Sequence, residues 1–123
     1  IAQILAQSDY AGKNSILIHK GDKIIPVPAG DVALAQLENG VVYIYNFNGD
    51  RFSVNYNMEK LSHIFGHKFF RVNRQFLINR MAIKHASQYF ARKLLVQTTI
   101  ELKNEIIVSK AKAGNFLRWL ERY

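Results

Sequence analysis

The sequence predicts a mainly β domain with two short helices, and three observations carry that reading. Apolar residues recur in short alternating runs, tight-turn residues separate those runs at close intervals, and only two segments place apolar residues at helical spacing. With 123 residues, 49% of them hydrophobic, the chain fits one domain with a core of its own.

Taken in order, residues 16–20 and 23–27 flank Gly21-Asp22 and read as a hairpin whose second strand ends at the prolines. A short strand follows over residues 32–37, broken by Glu38-Asn39-Gly40. Residues 41–47 and 51–55 flank Asn48-Gly49-Asp50, and because Asn-Gly is a strong hairpin signal the two strands are expected to pair antiparallel. Asn57 fits the N-cap of a helix over residues 58–65, on which Leu61, Ile64 and Phe65 make one apolar face and Gly66 supplies the stop.

Residues 69–72, 76–78 and 83–86 are short apolar stretches divided by polar residues. Residues 94–97 and 98–102 follow, and Lys103-Asn104-Glu105 turns the chain into residues 106–108. Ser109 then fits the N-cap of a closing helix over residues 110–122. On that helix Ala113, Phe116, Leu117 and Leu120 are assigned to the core face, extended by Trp119 and Tyr123. Residues 1–13 fit none of these elements and read as a linker or the end of an upstream domain, which leaves 14–123 as the folded unit.

Charge divides the chain. Residues 1–67 carry five Lys or Arg against six Asp or Glu, a net −1, whereas residues 68–123 carry twelve against three, a net +9 within the overall +8. A solubilising halo does not stop midway through a domain, so the second half predicts a surface that gathers phosphates. Other classes drop out. Without cysteine there is no disulfide framework and no thiolate site. No apolar run approaches the roughly 18 residues that cross a bilayer, so no membrane partner is expected. No Gly-rich phosphate loop, nucleophile elbow or close carboxylate pair is present, so neither an enzyme nor a cofactor is expected. His63 and His67 stand four apart, but Gly66 falls between them and no third ligand follows, so no metal site is expected. A hydrolase using His19 or His85 lacks partner residues in the sequence.

The informative stretch is Phe70-Arg71-Val72-Asn73-Arg74-Gln75-Phe76-Leu77-Ile78-Asn79. Its apolar members anchor the segment, and its basic members project from a fixed frame. Arg suits guanine through a two-pronged hydrogen bond, Asn suits adenine, and both serve phosphates. A surface strand pair with solvated arginines fits the same residues equally well, and composition does not separate the two.

This stretch, followed about thirty residues later by Ile107-Val108-Ser109-Lys110 at the start of the last helix, resembles the LytTR DNA-binding domain, the output module of many bacterial response regulators. The resemblance covers roughly residues 14–122. It implies an elongated β-β-β sandwich of about ten short strands that binds double-stranded DNA by placing loops, not a recognition helix, in successive major grooves. The implied contacts are Asn39 in the loop over residues 38–42, Asn73 and Arg74 beside Arg71 in a second loop, and Lys110 at a third. Lys103, Ser109 and Lys112 flank these and reach phosphates, helped by free N–H groups in the first helical turn. It also implies a cytoplasmic regulator of transcription with an upstream receiver domain, phosphorylated by a sensor histidine kinase, and homodimers on direct-repeat sites.

Three positions depart from the family pattern. Lys110 stands where Arg is frequent and cannot make the planar two-pronged contact. The first loop offers Asn39 in place of a basic or imidazole side chain, and Gln75 replaces a frequent Ser. A different class also stays open: a small basic RNA-binding β-domain stacking bases on Tyr43, Tyr45, Phe47, Phe52 and Tyr56.

Overall fold

Strand β3 (Val32–Glu38) buries its first five residues in succession, a pattern that only a strand covered on both faces can show. In the computed structural model, which describes residues 14–123, β3 is the middle of a five-stranded antiparallel sheet. Its partners are β4 (Val41–Asn46), β5 (Arg51–Val54), β6 (Phe69–Arg71) and β7 (Phe76–Asn79), in the order β5-β4-β3-β7-β6. The hairpin of β1 (Ser15–Lys20) and β2 (Lys23–Pro28) forms a two-stranded sheet, and β8 (Ile83–Gln88), β9 (Leu94–Thr98) and β10 (Ile106–Val108) form a three-stranded one. The expectation for residues 1–13 lies outside the described residues.

Apart from a bulge in β3 that puts the adjacent Ala33 and Leu34 in one core, the period of two along the central strands sends alternate side chains into two separate cores. On one face Leu34, Phe76 and Ile78 meet Val96, Ile106 and Val108 of the three-stranded sheet and Phe116 of helix α2 (Lys110–Arg122). On the other, Ala35, Ile44 and Leu77 meet Ile16 and Ile18 of the first hairpin and Met58, Leu61 and Phe65 of helix α1 (Met58–Phe65). The architecture is therefore three β layers with one helix packed against each core.

Local chemistry accounts for the element ends. Asn57 caps α1 by accepting from the Lys60 N–H at 2.7 Å, and Gly66 stops it at a φ of 75°. A two-residue turn, Asn39-Gly40, joins β3 to β4 with φ of 52° and 79°. Positive φ at both positions is what a type I′ turn demands and what Asn-Gly supplies. This turn was expected only as a break in the strand, whereas Asn48-Gly49 sits in a longer four-residue connection over residues 47–50. There the Asn46 side chain accepts from the N–H groups of Asn48 and Asp50.

Two further expectations change. Residues 98–102 are not a continuing strand: β9 ends at Thr98, whose hydroxyl donates to the Ile100 carbonyl at 2.7 Å. Leu117 is 47% exposed, while Phe116 and Trp119 are buried. Each helical residue turns by about 100°, so once Trp119 points inward the buried stripe centres away from Leu117. Tyr123 also stands partly in solvent, its ring stacked near His67.

Candidate nucleic-acid interface

Antiparallel pairing brings the end of β3, the start of β4, the end of β6 and the start of β7 to one edge of the central sheet. The Asn39-Gly40 turn and the β6–β7 loop over residues 72–75 consequently lie side by side. Between them runs a groove of about 560 Å³ lined by Leu37, Asn39, Gly40, Asn73, Arg74 and Gln75. The Leu37 N–H donates to the Gln75 carbonyl at 2.8 Å and fixes the loop to β3.

Within the loop the sequence-predicted residues divide by role. Asn73 faces inward: its Oδ1 accepts from the N–H groups of Gln75 (2.8 Å) and Phe76 (3.0 Å), and its Nδ2 donates to the Ile107 carbonyl of β10 at 2.9 Å. Arg71 is half-buried and folds back, donating from Nε to the Asn73 carbonyl at 2.9 Å and from Nη2 to the Arg74 carbonyl at 2.6 Å. Burial holds its guanidinium pKa below the ordinary arginine value; Glu59 opposes that shift and Arg74 adds to it. An arginine so placed still keeps its charge. Arg74 itself is exposed, with its side chain free to reach outward.

The third connection is the junction of β10 and α2. Ser109 caps the helix, its hydroxyl accepting from the Lys112 N–H at 3.3 Å, and the Lys112 and Ala113 N–H groups bond to the Ser109 carbonyl. The N–H groups of Lys110 and Ala111 precede any intrahelical partner and add a partial positive charge to that end. Lys110 is exposed, and Lys112 donates from Nζ to the Arg71 carbonyl at 3.3 Å, leaving two of its three donors free. Lys103 is exposed in the β9–β10 connection, which enters β10 at Ile106, the opposite end of that strand from Ser109; its neighbour Asn104 accepts through Oδ1 from Gln36 of β3 at 3.2 Å. Among the described residues one ion pair forms, Arg51 to Glu38 at 3.0 Å, so none of Arg74, Lys103, Lys110 and Lys112 is neutralised by an acidic side chain.

A fourth connection reaches the same end of the three-stranded sheet and was passed over in the sequence as a gap between strands. Leu94 pairs with Val108, so residues 89–93 lie beyond the sheet where Ser109 begins. Ala91 and Arg92 adopt φ of 58° and 61°, and the exposed Phe90 carries the Lys93 ammonium 4.9 Å above its ring. Adjacent Arg and Lys inside the basic half was the available signal.

The aromatics that suggested base stacking are mostly occupied. Arg51 lies 3.9 Å over Tyr43, the Tyr45 hydroxyl donates to Gln36, Phe52 packs into a core, and the Tyr56 oxygen accepts from the Leu17 N–H. Phe47 alone of the five is exposed, at 38%. His19 and His85 are exposed on separate sheets, and no helix among the described residues is long and apolar enough to cross a membrane.

Comparison with known proteins identifies the family and the fold. The model of the LytTr DNA-binding domain family matches residues 22–121. Among solved structures, the LytTr DNA-binding domain of a Bacillus cereus protein described as a methyl-accepting/DNA response regulator has a TM-score of 0.72 at 21% identity, covering 89% of this chain and 98% of that one. No curated protein matches the sequence. The chain, with three β layers, two helices and a basic loop cluster, belongs to the LytTR family of DNA-binding domains.

Proposed function

We propose that the chain is the sequence-specific output domain of a cytoplasmic bacterial two-component response regulator, and that it reads the major groove of duplex DNA through loops. The observation that carries this reading is the convergence of the Asn39-Gly40 turn, the β6–β7 loop and the start of α2, tied together by hydrogen bonds and bearing unneutralised cations. Arg74 and Lys110 are assigned to base edges. Lys103, Lys112 and the free N–H groups after Ser109 are assigned to phosphates, with Asn39 on the adjoining turn. Arg71 and Asn73 belong to the same surface through the frame they build beneath Arg74. A receiver domain phosphorylated by a sensor kinase, and paired copies on direct-repeat half-sites, complete the proposal.

Selection of bound duplexes from a random pool tests it. A recurring motif with two half-sites, bound with affinity that falls steeply as salt rises, is the expected result. Failure to enrich any motif, or preferential competition by single-stranded RNA, overturns it.

A further inference from the structure

We infer that the β6–β7 loop and the β10–α2 junction act as one coupled reading unit, in which Asn73 is a positioning residue that sets Arg74 and Lys110 relative to each other. This rests on the DNA-binding reading above and adds a claim about how two of its contacts depend on one another. The Asn73 amide holds the Arg74 loop from within by accepting two backbone N–H bonds, and it holds the junction from outside by donating to Ile107, three residues before Lys110. A second tie runs the opposite way, from Lys112 in the first turn of α2 to the Arg71 carbonyl. Arg71 completes the frame by forking onto the carbonyls of Asn73 and Arg74. The backbone on either side of Arg74 is thereby fixed to the segment that carries Lys110. A displacement of one contact displaces the other.

Two side chains held in one frame do not contribute independently. The experiment is a double-mutant cycle on the selected duplex with Arg74→Ala, Lys110→Ala and the pair, measured by anisotropy in the natural background and again with Asn73→Asp. Asp keeps the oxygen that receives Gln75 and Phe76 but removes the N–H donor to Ile107. The ratio of specific to random-sequence affinity is the readout, so that the added negative charge, which weakens both, cancels.

In the natural background the pair should deviate from the product of the singles by roughly fivefold. With Asn73→Asp the effects should multiply to within about twofold. Multiplicative effects in the natural background, or an undiminished deviation with Asn73→Asp, overturn the inference. So does loss of preference at a single further base pair with Asn73→Ala while the coupling persists, which marks Asn73 as a direct reader. If the unaltered chain selects no duplex, the DNA reading fails, and amide exchange of the free protein still decides the coupling. Asn73→Asp should then speed exchange at Lys112 and Ala113 by about tenfold with core strands unchanged, and equal rates overturn it.

Discussion

Arg71 and Arg74 lie three residues apart with the same charge, yet one is folded onto its own loop and the other is open to solvent. Their substitutions should therefore differ in kind. Arg74→Ala or Lys110→Ala should lower affinity for the selected site by about 1 to 3 kcal/mol and relax preference at one position, measured by competition between cognate and single-base variants. Lys112→Ala should reduce the salt slope by about one, and because its Nζ also ties α2 to the Arg71 carbonyl, the cognate site should suffer somewhat more than random DNA. Arg71→Lys keeps a cation but loses the planar fork, and the cognate site should suffer more than random DNA. The sequence made these residue types visible as a basic segment among anchoring apolar ones. It did not separate contact from frame, because the Asn73 partner is a backbone carbonyl 34 residues away and the Lys112 partner is 41 residues away.

Elements were legible wherever their signals are local. The Asn57 cap, the Gly66 stop and the Ser109 cap each act within a few residues, and each stands where the sequence places it. Asn57→Ala should cost about 1 kcal/mol of stability in urea unfolding. Helix α2 shows where local reading ends. Its pattern admits Leu117 to the core face, and only packing against β6 and the three-stranded sheet, with Trp119 donating to the His67 carbonyl and lying against Phe70, settles the rotation. Phe116→Ala should therefore cost about 3 to 5 kcal/mol, while Leu117→Ala should stay within about 0.5 kcal/mol of the unaltered chain. A large loss at Leu117 would restore the face first assigned to it.

At the scale of the whole molecule, two cores share one sheet. Leu34 and Ala35 are adjacent in β3 and belong to different cores, as do Phe76 and Leu77 in β7. Neither core can lose its wall without stripping the other, so thermal unfolding should be one transition whose calorimetric and van't Hoff enthalpies agree. Two separable transitions would show that the layers are independent. The strands were legible from periodicity, but their grouping into sheets of two, five and three was not, since alternation says which face a side chain takes and not which sheet lies opposite. The resemblance to LytTR domains supplied that layering. The polar chain from Tyr45 through Gln36 to Asn104 was also invisible, joining β4 to a turn 59 residues on from Tyr45.

The exposed Asn39-Gly40 turn, Arg74 and Lys110 all sit outside both cores, on connections whose backbone is already held by other residues. On the proposed assignment of positions 74 and 110 to base edges, descendants of this chain should be able to exchange those side chains and acquire new operators while inheriting the same melting behaviour. Under the inferred coupling, position 73 is inherited differently: a change there should unsettle two letters of the recognised word at once, so it should drift more slowly than its neighbours in any lineage that keeps a target.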